Sequence, residues 1–323
     1  MSNEHSTPVE PSARRISPAA SAASAARSRP FAQVDVFSAV PYRGNPLAVV
    51  LDATDLDDAA LARFAAWTNL SETTFVLPPS EAGAAAGADY RVRIFTVSRE
   101  LPFAGHPTLG TAHAWLEAGG IPRAGDTIVQ ECEIGMVPIR RDGSRLSFGA
   151  PPLIRSGPID QADLERMAAV LRLNVADIVD SNWIDNGPGW AGLLLPSAEA
   201  VLALEPDFAA LAANSIGVVG PYADTDTDTD TDADPDADAT AGHPQFEVRG
   251  FAGSAGVTED PVTGSLNASL AQWMIGAGHA PTSYLAGQGA RLGRDGRVHV
   301  EQLGAQVWVG GDSVTCIAGT VIL

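Results

Sequence analysis

RIFTVSRELPFAGHPTLGTAHAWLEAG, Arg93 to Gly119, and RGFAGSAGVTEDPVTGSLNASLAQWMIGAG, Arg249 to Gly278, are two versions of one pattern. Each opens on a short strand containing Arg-x-Phe and passes through a loop with a proline. Each then reaches a glycine beside serine or threonine and becomes an Ala- and Leu-rich helix that stops at glycine. Aligned on a polar residue followed by proline, the copies set His106-Pro107 against Asp260-Pro261 and Gly110-Thr111 against Gly264-Ser265. The first helix is then expected from about Thr108. Two related halves facing each other would point two helix N-termini and two titratable side chains into one cleft. Free N–H groups at a helix start favour an anion such as a carboxylate.

Outward from the repeat, short β-rich runs dominate. Ala32–Phe37 and Leu47–Leu51 read as strands around the turn Pro41 to Pro46, and Thr73–Leu77 and Tyr90–Thr96 as two more. Ile128–Arg140 and Arg145–Phe148 flank Arg141-Asp142-Gly143-Ser144, a hairpin signal. Leu193–Leu195, Ile216–Val219, Phe246–Phe251, Val298–Gln302, Ala305–Val309 and Ser313–Leu323 continue the series. Apolar spacing after Asp55–Asp58 and from Asp160 to Leu171 predicts two amphipathic helices with acids at their starts. Strands outnumber helices, and each half has one Ala-rich helix that reads as buried. A helix wrapped by its own mostly antiparallel sheet makes an α+β fold of two pseudo-symmetric halves. The boundary falls near Gly149–Gly157, giving a first half over 31–150 and a second over 151–323.

The 323 residues suffice for two domains, and 45% hydrophobic content suits buried cores. Of the formal charge of −19, eight negatives sit in one Asp-Thr run from Asp224 to Asp238. That run reads as a disordered insert at about 223–242; as a calcium loop it lacks the glycine and closing glutamate of an EF-hand. The remaining chain is still acidic, which argues against nucleic acid as a partner. No run of eighteen apolar residues reads as a transmembrane helix. Residues 1–30, rich in Ser, Ala and Pro, read as a disordered leader. Arg14-Arg15 invites a twin-arginine reading, but no apolar core follows. Cys132 and Cys316 lie far apart without metal-ligand spacing, which argues for a reducing, cytoplasmic setting.

Three spots gather polar groups beside glycine and proline. In Asn69-Leu70-Ser71-Glu72-Thr73-Thr74-Phe75, Glu72 is either a solvated surface residue or a general base whose pKa rises on entering an apolar site. Gly105-His106-Pro107-Thr108-Leu109-Gly110-Thr111 has the spacing of a phosphate loop without its lysine. There His106 is structural or catalytic, and His113, within the helix, faces its core. No third ligand at a credible spacing makes a metal pair of them. In Glu259-Asp260-Pro261-Val262-Thr263-Gly264-Ser265, Asp260 caps a helix or forms an acid pair with Glu259.

Taken together, these pieces resemble the PhzF-like family of phenazine-biosynthesis isomerases. The match rests on Asp35-Val36-Phe37 with Gly44-Asn45-Pro46-Leu47, on the Ser71-Glu72-Thr73 stretch, on Glu100 to Thr111, and on Glu259 to Ser265. Gln288-Gly289 with Gly293-Arg294-Asp295-Gly296 also fits, and coverage runs from about Phe31 to Leu323. The resemblance implies the diaminopimelate epimerase-like fold, two halves that are each a curled sheet around a central helix. It implies no metal, no organic cofactor and a homodimer. It implies that Glu72 moves a proton between carbons of a small carboxylated, cyclic, dihydro-hydroxyanthranilate-like substrate, with His106 and Asp260 holding and polarising it. Asn45, Ser71 and Gly105, with the helix starts at Gly110-Thr111 and Gly264-Ser265, would bind the substrate. Two-cysteine racemisation, used by related epimerases, is disfavoured because the repeat positions hold no cysteine. The rival reading is a non-catalytic binding or interaction protein on the same scaffold. Asn186-Gly187-Pro188-Gly189-Trp190 is expected as a cleft-side loop without an assigned role.

Overall fold

The computed structural model describes residues 26–211, 215–223, 242–253 and 257–323. The leader up to residue 25 and the Asp-Thr run, with its calcium reading, lie outside the described residues. Strand β1 (Ser28–Val36) begins ahead of Phe31. Arg29 explains the earlier start: it is buried in the strand and donates to Asp52 O at 2.8 Å.

The first half follows one path. Strand β1 pairs antiparallel with β2 (Asn45–Val50), and α1 (Asp58–Thr68) carries the chain across to β3 (Thr73–Leu77), parallel to β2. A short helix α2 (Glu81–Ala85) precedes β4 (Tyr90–Phe95), antiparallel to β3; then come β5 (Glu100–Leu101) and the central helix α3 (Gly105–Glu117). Strand β6 (Thr127–Cys132) returns parallel to β4 and leads into β7 (Gly135–Asp142) and β8 (Arg145–Gly149).

The second half repeats it. After β9 (Arg155–Gly157) and α4 (Gln161–Leu171), β10 (Asp180–Asp185) pairs antiparallel with β11 (Trp190–Leu194). Helix α5 (Ala198–Leu202) crosses to β12 (Ser215–Pro221), parallel to β11; β13 (Phe246–Ala252) and β14 (Val257–Asp260) follow, then α6 (Gly264–Ala277). Strand β15 (Ser283–Gln288) returns parallel to β13 and leads into β16 (Gly296–Leu303) and β17 (Gln306–Gly311). Antiparallel pairing of β8 with β17 fuses the halves, and β18 (Ser313–Ile322) crosses to pair with β1 as β9 pairs with β10. The expected α+β fold is the observed one.

Sheet register gives the true alignment of the repeat. Ile94 pairs with Leu101, and Gly250 pairs with Asp260. The copies therefore match as Glu100-Leu101-Pro102-Phe103-Ala104-Gly105-His106 against Glu259-Asp260-Pro261-Val262-Thr263-Gly264-Ser265. His106 corresponds to Ser265, not to Asp260, which corrects the sequence alignment. Helix α3 starts at Gly105, three residues before Thr108, because Pro107 fits a first helical turn, where no N–H is needed. The matched arginines behave alike. Arg93 donates twice to Glu100 at 2.6 Å, and Arg249 twice to Glu259 at 2.8 Å. Each guanidinium lies 5.1 Å over the ring two residues on, Phe95 or Phe251.

One apolar core spans both halves, with Val36, Leu47, Leu109 and Phe148 from the first and Leu266 and Met274 from the second. Burying each such side chain contributes about 1.5–3 kcal/mol. Smaller cores lie under α1 around Phe64 and Phe75, and beneath α4 and α5 around Met167 and Phe251. No helix among the described residues is long and apolar enough to cross a membrane. Both cysteines are free.

The twin ion pairs differ in burial. Side chains of Arg249 and Glu259 are 3% and 6% exposed, those of Arg93 and Glu100 24% and 31%. Breaking the buried pair strands a charge. Arg249→Met is therefore expected to cost about 3–5 kcal/mol, and Arg93→Met roughly 1 kcal/mol. Urea denaturation measures both; equal losses would rule out burial as the deciding factor.

Candidate active site

Glu72 reaches the junction of the two halves because α1 ends at Asn69 in a left-handed conformation, φ 56°, which turns the chain and delivers Ser71-Glu72 just ahead of β3. His106 is the second residue of α3, Asn45 the first of β2 and Asp260 the last of β14. The fold brings these four together. Glu72 Oε2 lies 3.3 Å from His106 Nε2. Asn45 Nδ2 lies 3.3 Å from His106 Nδ1 and donates to Asp260 Oδ1 at 3.0 Å and to Val262 O at 2.8 Å. Asp260 Oδ2 accepts from Thr263 Oγ1 at 2.6 Å. Gln288 braces that corner, receiving Thr263 N at 3.0 Å on Oε1 and donating to Thr263 Oγ1 at 2.9 Å.

The two central helices start here without caps. Among the described residues, each of the other four α-helices has its first turn capped by a side chain, from Asp57, Ser80, Asp160 or Ser197. Helices α3 and α6 have no side-chain cap and no acid in the first turn. Thr263, at the cap position of α6, spends its hydroxyl on Asp260 instead. Their first N–H groups therefore have no side-chain cap, an arrangement that favours an anion. Gly105 and Gly264 abut: a Cβ on Gly105 would lie 3.0 Å from the Gly264 Cα, and one on Gly264 3.1 Å from the Gly105 Cα.

Burial sets the electrostatics. It pushes the Glu72 carboxyl up to about 8; the Asp260 charge adds to the rise and the Ser71 hydroxyl opposes it. Burial alone holds His106 down at about 3, so the imidazole is neutral. Burial lifts Asp260 to about 6 against hydrogen bonds from Thr263 and Asn45. Two carboxyl groups with separated pKa values and one neutral imidazole suit proton transfer near neutrality. Asn45 Oδ1, Glu72 Oε2 and His106 Nε2 are buried without a hydrogen-bond partner, as expected where a polar ligand completes the set.

Asn45, Ser71, Glu72, Gly105, His106, Asp260, Gly264 and Ser265 thus cluster around the two helix starts. Gly110 and Thr111 do not. They lie in the second turn of α3, so their expected place at its start is corrected. A Cβ on Gly110 would meet Leu47 at 2.7 Å and Val36 at 2.8 Å, and Thr111 Oγ1 donates to Thr74 at 2.8 Å. His113 contacts Thr315 Oγ1 at 3.1 Å on β18 rather than facing the core. The glycine-rich loop after β10 gains a role. Its Asn186 Nδ2 donates to Ser265 O at 3.0 Å, and Trp190 Nε1 to Ser265 Oγ at 3.2 Å. Thr263 and Gln288 stood inside quoted motifs, but nothing in their spacing marks them as braces.

Two outcomes follow. Gly110→Ala is expected to cost about 1–3 kcal/mol by overpacking while leaving substrate KM unchanged; a raised KM at full stability would return Gly110 to the site. The fold prefers Glu72 neutral, since its folded pKa of about 8 exceeds the ordinary 4.5. That stability is complete below 4.5 and is lost as pH rises through about 8. Glu72→Gln mimics the neutral acid. It is expected to exceed the parent by roughly 2–4 kcal/mol at about pH 9, the gap closing toward pH 5. Urea midpoints at the two pH values test it; a constant gap would count against burial of this carboxyl.

A family model described as phenazine biosynthesis-like protein, PhzC-PhzF, matches residues 34–319. The chain is 34% identical over 306 residues to trans-2,3-dihydro-3-hydroxyanthranilate isomerase of Pseudomonas fluorescens, covering 90% of this chain and 98% of that one. It is also 34% identical over 308 residues to Antisense-enhancing sequence 1 of Schizosaccharomyces pombe, covering 90% and 97%. A PhzF-family phenazine biosynthesis protein of Enterococcus faecalis superposes with a TM-score of 0.72 at 25% identity, covering 92% of this chain and all of that one. With matched motifs around a buried carboxyl between two helix starts, the chain belongs to the phenazine biosynthesis-like PhzC-PhzF family and is an isomerase.

Proposed function

We propose that this isomerase moves a proton between carbons of a small carboxylated ring, a dihydro-hydroxyanthranilate-like substrate, without a cofactor. The observation that carries the reading is Glu72: a buried carboxyl raised to about 8, with a free oxygen, facing two uncapped helix starts. The N–H groups at Gly105 and Gly264 bind the substrate carboxylate or hydroxyl. Glu72 takes the proton from one carbon and returns it to another, for which a pKa near the working pH is suited. His106 and Asp260 flank the substrate and stabilise the charge that develops during transfer. The Pseudomonas fluorescens relative carries the name of such an isomerase, which supports the substrate class.

Glu72→Gln is expected to lower kcat by at least ~10³-fold while substrate affinity, measured by calorimetry, stays within a few-fold. In the parent, kcat/KM is expected to rise about tenfold per pH unit and level near pH 8 as Glu72 ionises. Full activity in the glutamine variant would remove Glu72 from the mechanism. Tight binding of such acids with no turnover, and no solvent deuterium entering a ring carbon, would favour the non-catalytic binder instead.

A further inference from the structure

The side-chain amide of Asn45 is buried where the halves meet, and its surroundings dictate which end points where. Nδ2 faces Val262 O at 2.8 Å, Asp260 Oδ1 at 3.0 Å and His106 Nδ1 at 3.3 Å. The flipped amide would press its oxygen against a carbonyl and a carboxylate, so the NH2 group belongs in this corner. His106 Nδ1 therefore looks at a group that only donates. A proton on Nδ1 would oppose another N–H, whereas a bare Nδ1 shares one of the amide hydrogens. The other ring nitrogen, Nε2, is buried, lacks a hydrogen-bond partner and lies 3.3 Å from Glu72 Oε2.

We propose that Asn45 is a positioning residue that locks His106 in the Nε2–H tautomer, so that the imidazole offers the cleft a donor and not a lone pair. The tautomer follows from the geometry alone; its catalytic meaning rests on the isomerase reading above. With its lone pair turned toward Asn45, His106 is no rival base to Glu72. It donates to a substrate oxygen whose charge grows as Glu72 withdraws the proton. The same NH2 group holds Asp260 Oδ1, so one amide orders both polar groups that flank the substrate. The device exists in one half only. Strand register matches Ala48 with Ala191, and counting back three residues sets Asn45 against Pro188, which has no donor.

Nitrogen NMR of protein labelled with 15N in its imidazoles reads the tautomer directly. The chain has six histidines, and the His106 signals are those missing from His106→Gln. In the parent, Nε2 is expected protonated and Nδ1 bare across neutral pH. Asn45→Asp replaces the donor by an acceptor and is expected to move the proton to Nδ1. Should that variant fail to fold beside Asp260, Asn45→Ala is expected to show both tautomers. Either variant is expected to lose about 10²-fold in kcat with a smaller change in KM. A parent protonated on Nδ1, or a folded Asn45 variant that keeps Nε2–H as its sole form, overturns the proposal. The NMR readout needs no substrate. Absence of isomerase turnover would therefore sink the functional reading and leave the tautomer standing, and the reverse holds equally.

Discussion

Two helix starts meet backbone to backbone at Gly105 and Gly264, and the site depends on that approach. Any side chain at either position would wedge the helices apart, since an added Cβ already comes within 3.0–3.1 Å of the opposite Cα. Because neither start has a side-chain cap, the meeting brings two sets of first-turn N–H groups to one point between the halves. The halves hold this point from outside, through pairing of β8 with β17 and through β18 crossing to β1. Leu109 and Leu266, packed in the same central core, fix the two helices beneath it.

The scaffold is symmetric and the chemistry is not. Register sets Glu72 against Ser215, His106 against Ser265, Asp260 against Leu101 and Asn45 against Pro188. The ion pairs that support the sheets, Arg93–Glu100 and Arg249–Glu259, are kept in both copies. Structural pairs are thus duplicated, while each group proposed for proton transfer occurs once. Such inequality suits one carboxyl that both removes and returns a proton, the part proposed for Glu72; two equal groups would suit a symmetric exchange.

Burial without a cationic partner separates the acids proposed for proton transfer from the structural ones. Glu259 is nearly inaccessible yet bound at two points by Arg249. Glu72 instead has Asp260 as its charged neighbour and a neutral histidine at 3.3 Å, so desolvation raises it into the range where it can both accept and release a proton. The cost of that desolvation falls on stability as pH rises from about 4.5 through about 8, and such costs are common at functional sites.

Much of this was legible in the residues. Thr73–Leu77 falls at the expected strand bounds, and the helix expected from Asp160 begins one residue on, after that residue caps it, because alternation and capping are local properties. Glu72, His106 and Asp260 stood out through their motifs. Short elements such as α5 and β10 were not legible: five or six residues carry too little periodicity. The Gly110-Thr111 assignment failed for a related reason. A proline one step after histidine looks like a helix boundary, yet in a first turn it costs no hydrogen bond.

Two copies of one strand–loop–helix unit, and the residues in them able to titrate, are readable from the order of amino acids alone. Tertiary structure alone decided their correspondence, because partner strands, not the chain, set register: Ile94 with Leu101 and Gly250 with Asp260 realign the copies and free Asp260 from its supposed match with His106. It also decided the role of Asn45. A lone amide in a turn carries no signal of its own; it becomes the link between His106 and Asp260 only where the two halves close around it.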